Sequence, residues 1–229
     1  MQPVICQWQL GTATSIVGAT TPVAGQRALP LNGTLAIIPN ASLSGISFSK
    51  VSRVISITSQ SSTSLSGVNF TITGIYNNSV VSQTISGPGS NATVYTSQMF
   101  STVASVTYSA DVTTMVSVGT GAPGLAPVGS WGVTDWFRYD FFTPFSMLTT
   151  QAKVNAATVN YSLEVTLDDI VTTPEVSLTL FNPIAGMTGA TTNQIGNINF
   201  PIRYARLKFN NATNSAGSLI ATFLQQGLQ

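Results

Sequence analysis

Arg203, Arg206 and Lys208 bring together three of the chain's eight Lys and Arg residues. On an extended strand, Arg206 and Lys208 share a face, and Arg203 points to the other unless a bulge intervenes. A phosphate or nucleic-acid site asks for more cations with aromatics between them. The cluster therefore reads as an ion-pairing strand at a surface or interface, in its specific form pairing across subunits with an acid. The seven acids are Asp111, Asp135, Asp140, Glu164, Asp168, Asp169 and Glu175. Asp168-Asp169 follows a strand-like run, a position where carboxylates can ligate Ca²⁺. No further ligand spacing accompanies it, so it reads as a solvated turn. Asp135 and Asp140 could be offered for glycoside hydrolysis, which needs two facing carboxylates, but their spacing decides nothing without a fold. The chain has no His, which excludes Ser-His-Asp catalysis in its usual form. No glycine-rich segment is followed by Lys-Ser/Thr, as a phosphate loop requires. No catalytic, cofactor-binding or metal-binding residue is expected.

The scarcity of charge is itself informative. Charged residues make up 7% of the 229, against about 25% in an ordinary soluble protein. The net charge of +1 gives no field to steer nucleic acid or an anionic membrane. With 43% hydrophobic residues there is material for a core, and the surface must consist largely of hydroxyls and amides. Little self-repulsion suits a chain that assembles. The single cysteine, Cys6, lies in the apolar run Val4-Ile5-Cys6 and reads as a small buried hydrophobe. The first residues lack the basic region and unbroken apolar run of a signal peptide, and nothing has the apolar length of a membrane span. Asn69-Phe-Thr and Asn91-Ala-Thr match a glycosylation triplet but are expected by chance in so Asn- and Thr-rich a chain.

The elements that must position these residues read as strands. Residues 1–45 are punctuated by Pro3, Pro22, Pro30 and Pro39, which forbid helix across them. They read as an extended arm with short strand candidates at Trp8 to Leu10 and Leu35 to Ile38. Period two begins near Ile46. Val51 to Thr58 carries apolar residues on both faces, the mark of a central strand. Val68, Phe70 and Ile72 alternate with polar residues, and Asn77-Asn78 marks a hairpin turn before Val81, Gln83 and Ile85. Gly87-Pro88-Gly89 breaks the chain. Further strands read at Ala92 to Tyr95, Val103 to Tyr108 and Met115 to Gly119, with a helical turn around Ser97 to Thr102 as the alternative. Residues 119–132 hold too much Gly and Pro for regular structure and read as a linker.

An aromatic cluster follows: Trp131, Trp136, Phe137, Tyr139, Phe141, Phe142 and Phe145. It reads as the opening strand of a second core, or as a platform for a glycan or partner. Val159 to Leu167 is the cleanest amphipathic strand, and Val176, Leu178 and Leu180 read as another. Residues 185–199 read as a loop. Ile202, Tyr204, Leu207 and Phe209 precede a turn at Asn210 to Gly217 and a terminal strand, Leu219 to Leu224.

Three pieces of this pattern together carry a resemblance. Val68-Asn-Phe-Thr-Ile-Thr-Gly74, Val81-Ser-Gln-Thr-Ile-Ser-Gly-Pro88, Phe100-Ser-Thr-Val-Ala-Ser-Val106 and Val116-Ser-Val-Gly119 resemble an Ig-like repeat of tailed-bacteriophage virion proteins. Val159-Asn-Tyr-Ser-Leu-Glu-Val-Thr-Leu-Asp-Asp169 is similar to a strand-plus-Asp-Asp segment of small phage structural proteins. Pro201-Ile-Arg-Tyr-Ala-Arg-Leu207, with Leu224-Gln-Gln-Gly227, is similar to their C-terminal strand pair. The resemblance spans residues 50–229. It departs where Asp168-Asp169 runs into Ile170 rather than a turn-forming Pro. It implies a non-enzymatic virion component and transfers no catalytic residue.

The expected fold is all-β: two tandem β-sandwich domains, Ig-like or jelly-roll-like, with an extended N-terminal arm. The boundaries are an arm at 1–45, a first sandwich at 46–120, a Gly/Pro linker at 121–132 and a second sandwich at 133–229. The expected function is a virion structural protein (capsid decoration, neck or tail) that forms homo-oligomers, binds other virion proteins and needs no nucleic acid, membrane or cofactor. Its interface anchors would be Trp8, Trp131, Trp136, Tyr139, Arg203, Arg206 and Lys208. The alternative is a carbohydrate- or receptor-binding module that stacks sugars on Trp131, Trp136 and Tyr139. Whether those rings are exposed or sunk in the core discriminates the two.

Overall fold

Alternating β-branched and hydroxyl residues form strands throughout the computed structural model, which describes residues 4–8, 14–33, 51–120, 132–139, 148–154, 159–173, 175–211 and 217–225. Among these residues there is no α-helix, and regular structure beyond the strands is two single 3₁₀ turns. In chain order the strands are β1 (Val4–Trp8), β2 (Val17–Thr20), β3 (Val51–Ser59), β4 (Asn69–Tyr76), β5 (Ser79–Ser86), β6 (Thr93–Phe100), β7 (Thr102–Tyr108) and β8 (Val116–Thr120). They continue as β9 (Gly132–Thr134), β10 (Phe137–Arg138), β11 (Leu148–Val154), β12 (Asn160–Thr166), β13 (Gln194–Ile198), β14 (Tyr204–Asn211) and β15 (Gly217–Gln225). Their pairings are antiparallel. The chain divides into two compact units. Unit 1 comprises Met1–Gln9, Ser47–Val51 and Trp131–Gln229, and unit 2 comprises Leu10–Ile46 and Ser52–Ser130.

In unit 2, β3 is flanked by β6 and β8, and β2 pairs with the far edge of β8. Both faces of β3 are buried, as its two-sided apolar pattern predicts, and they include Arg53. Burial pulls the Arg53 guanidinium below its usual range. A second sheet has the order β5-β4-β7. Its hairpin turns at Asn77 and Asn78, whose φ values of 48° and 60° suit a type I′ turn and the right-handed twist of the strands. The core takes Ile55, Ile57, Val116 and Val118 from the first sheet and Phe70, Ile72 and Val106 from the second. Gly87 is required where the chain leaves β5: a Cβ there would lie 2.4 Å from the Leu65 carbonyl oxygen. Residues 97–100, for which a helical turn was the alternative, lie in β6. The edge of β7 is covered by residues 27–29, with Leu29 N–H donating to Val106 O at 2.9 Å and Tyr108 N–H to Arg27 O at 3.0 Å.

In unit 1, one sheet has the order β1-β15-β11-β13. In the other, β14 pairs along its length with β12 and on its opposite edge with β9 and β10. Leu148, Ala152, Leu219 and Phe223 from the first meet Tyr161, Leu163, Leu207 and Phe209 from the second in one apolar core. Three sequence expectations fail here. Residues 176–180 are no strand: Glu175–Ser177 forms a 3₁₀ turn, and only Phe181 bridges to Val165. The expected loop at 185–199 contains β13, because β11 presents a ladder that a five-residue segment of modest apolarity can complete. The expected one-sided strand at Val159 to Leu167 is buried on both faces through β12, including Ser162, Glu164 and Thr166.

Of the segment expected to be an arm, β1 pairs with β15 and β2 with β8. Leu35 to Ile38 lie outside the described residues, as does the expected linker at 121–132 except for Gly132, which opens β9.

Candidate functional site

Strand periodicity sends Ala205, Leu207 and Phe209 of β14 into the core and leaves Tyr204, Arg206, Lys208 and Asn210 on the opposite face. The register with β12 then sets Thr166 against Tyr204, Glu164 against Arg206 and Ser162 against Lys208. Oppositely charged partners therefore face each other across one rung. Arg206 Nε donates to Glu164 Oε2 at 2.9 Å. Its Nη2 lies 2.9 Å from the same oxygen and 2.6 Å from Glu175 Oε1. Lys208 Nζ reaches Glu164 Oε1 at 3.4 Å.

The other side of the guanidinium is closed by an aromatic ring. The Arg206 carbon Cζ sits 4.2 Å from the Trp136 ring centroid, a cation–π arrangement. Trp136 in turn meets Tyr204 edge-on, with ring centroids 6.3 Å apart. Arg206 is 2% exposed, so the group is a structural element and not a surface patch. The polar stripe continues at Asn210, whose Nδ2 donates to Asn160 Oδ1 at 2.8 Å and to Ser162 Oγ at 2.7 Å. Gly189 N–H donates to Ser162 Oγ at 3.0 Å, and Ala190 and Phe181 bridge the free edge of β12 at Tyr161 and Val165. Glu175 thus reaches over the polar face to Arg206, Phe181 and Ala190 follow the edge of β12, and Met187 returns to the apolar core.

Arg203 Nη2 pairs with Asp169 Oδ2 at 3.0 Å, and its guanidinium lies over the Tyr204 ring at 5.6 Å. Arg203, Arg206 and Lys208 each find a carboxylate within the chain. The register, which sequence alone does not fix, put Glu164 opposite Arg206. Asp168 and Asp169 are turn-forming groups. Asp169 Oδ1 accepts Val171 N–H at 3.0 Å, and Asp168 Oδ2 accepts Thr179 N–H at 2.5 Å. Among the described residues no group of three or more His, Cys, Asp or Glu gathers.

The aromatic candidates separate. Tyr139 is 1% exposed and belongs to the core, so it is neither an exposed anchor nor a face for a sugar. Trp136 is half-buried, with its ring already covered by Arg206. Trp8 lies in β1, while Trp131 and Asp140 lie outside the described residues. Sequence reasoning missed Glu164 and Glu175 as partners of the basic cluster. The available signal was a lone Glu in the middle of the polar face of Val159 to Leu167.

In unit 2 the outward face of β5-β4-β7 is a ladder of hydroxyls. Thr71 Oγ1 bonds Thr84 Oγ1 at 2.8 Å, Thr73 Oγ1 bonds Ser82 Oγ at 3.1 Å, and Thr107 Oγ1 donates to Thr71 O at 3.5 Å. These rows adjoin exposed Ile75 and Val80 at the hairpin end. The face carries no charge. The arrangement can hydrogen-bond and pack, and it offers no nucleophile, acid or base.

No protein-family model, curated protein or solved structure matches this chain.

Proposed function

We propose that this chain is a non-enzymatic structural protein of a bacteriophage virion, a capsid-decoration, neck or tail component built from two tandem β-sandwiches that assembles with copies of itself and with other virion proteins. The observation that carries this reading is the disposition of charge. The described basic cluster is neutralised internally, by Glu164, Glu175 and Asp169, while an outward sheet face presents Thr and Ser rows without charge. A face of this kind makes a wet, hydrogen-bonding interface rather than an electrostatically steered one. Edge strands with few charges are also poorly protected in isolation, and neighbours in an assembly would cover them. The resemblance of residues 50–229 to phage virion proteins supplies the particle. The glycan-stacking alternative loses support from the burial of Tyr139 and the covered ring of Trp136.

The test is the native mass of the purified full chain by multi-angle light scattering across a tenfold concentration range and two salt concentrations. A discrete oligomer whose mass is insensitive to salt is expected. A monomer at every concentration would overturn self-assembly.

A further inference from the structure

We propose that β1 is an exchange strand: in the assembled protein the β15 edge of one copy is completed by β1 of a neighbouring copy. This deepens the assembly reading and rests on it. The argument begins with the sheet. Among the described residues β1 is its edge strand and pairs with β15 alone, through five rungs from Val4↔Ala221 to Trp8↔Gly217. The opposite side of β15 is held by seven rungs with β11. Without β1, the residues of β15 from Gly217 to Ala221 would present a bare backbone edge, a template for any extended chain.

Among the described residues, β1 is held by that one ladder. It is far in sequence from β15, and the residues that follow it, Leu10–Ile46, belong to unit 2 while β1 belongs to unit 1. Its sequence, Val-Ile-Cys-Gln-Trp, contains no charge and no Pro, the usual devices that stop an edge strand from pairing elsewhere. A β1 from another copy satisfies the same five rungs with the same residues. Exchange therefore trades identical contacts and leaves only connector strain and local concentration to decide between the two arrangements. Apart from the chain's own β1, the strand that reproduces that register residue by residue is the β1 of a second copy.

The register supplies the experiment. Ile5 faces Ile220, and Cys6, the only cysteine of the chain, faces Leu219. Consecutive antiparallel rungs alternate between Cα separations of about 4.5 and 5.5 Å, and both fall in the range a disulfide spans. Two full-length chains are co-expressed with different affinity tags, both carrying Cys6→Ser. One also carries Ile5→Cys and the other Ile220→Cys. Neither can form an intrachain disulfide. After mild oxidation, a disulfide between the two tags on a non-reducing gel is expected. A third chain carrying Ile5→Cys, Cys6→Ser and Ile220→Cys together reports the register, and native Cys6 with Leu219→Cys repeats it one rung along.

If the single-chain forms close internally and the mixed pair does not link, while wild-type protein remains oligomeric, exchange is overturned and the assembly reading stands. A monomeric wild-type protein with internal closure overturns both. Failure of both single-chain pairs to close shows that β1 does not occupy the β15 edge and overturns the proposal.

Discussion

Unit 1 and unit 2 each place apolar residues from two sheets in a core of their own, and each buries an arginine, Arg206 and Arg53, but two of their ion pairs differ in depth. Unit 1 buries Arg206 with Glu164, adds Glu175 to the pair and stacks the guanidinium on Trp136. Unit 2 joins Arg27 to Asp111 at its surface, with both side chains about half exposed, and lines its outward face with hydroxyls. A buried pair contributes little net stability when intact, yet its loss is severe because the surviving charge has no water to return to. An exposed pair is worth little either way. The same kind of contact thus fixes one geometry in unit 1 and merely decorates unit 2.

The largest expected effect follows from that asymmetry. Arg206→Met strands Glu164 inside unit 1 and should cost roughly 3–5 kcal/mol in denaturant unfolding. Arg206→Met combined with Glu164→Leu should recover much of this, since the charges left behind, Glu175 and Lys208, are partly exposed and opposite in sign. If the double variant is as unstable as the sum of its single changes, the cluster is not acting as a coupled pair.

In unit 2 the largest sensitivity should be steric. Gly87→Ala drives a methyl into the Leu65 carbonyl and should destabilise by about 1–3 kcal/mol. A neutral result would show that the end of β5 relaxes freely.

Extremes of pH should separate the units further. Tyr161, buried in unit 1 with its hydroxyl donating to Thr192 O at 2.9 Å, has its phenol pushed up to about 12 by burial. The folded form therefore holds a proton that the unfolded chain releases near pH 10. Its contribution is complete below pH 10 and is lost as the pH rises toward 12. Tyr161→Phe should flatten that part of the stability profile measured by circular dichroism. An unchanged alkaline profile would assign the loss to another group.

The hairpin of unit 2 sharpens the contrast at smaller amplitude. Asn78 holds a φ of 60°, so Asn78→Ala should cost about 1–2 kcal/mol and Asn78→Gly much less. Equal effects would point to a side-chain role for Asn78.

The smallest effect belongs to Arg27 and Asp111. The hydrogen bond from Arg27, then that from Gly25 N–H, lowers the Asp111 carboxyl below its usual value. Its stabilisation is present above the ordinary carboxylate range and is lost as the pH falls through the lowered value. Arg27→Ala should leave neutral-pH unfolding nearly unchanged and remove only this acid-side dependence. A large neutral-pH loss would make the pair structural, as in unit 1.

Much of this was legible in the residues. The two-sided apolar run at Val51 to Thr58 marked β3 as interior, and Asn77-Asn78 marked the turn between β4 and β5, because both signals are local. Arg206 and Lys208 were correctly placed on one face by period two. Val176 to Leu180 misled, because three apolar residues at alternate positions read as a strand until Glu175 is needed over Arg206 and the backbone turns to deliver it. Gln194 to Ile198 misled in the other direction: its composition is that of a loop, and the open edge of β11 makes it a strand.

By itself, the sequence determined an all-β chain, poor in charge, with three of its eight cations gathered within residues 203–208, because alternation and composition act over a few residues at a time. Only the tertiary structure decided that Glu164 stands opposite Arg206, that Trp136 closes over the pair, and that β1 lies against β15. Each of these depends on strand register and on which distant edges meet, and no local preference of the chain encodes either.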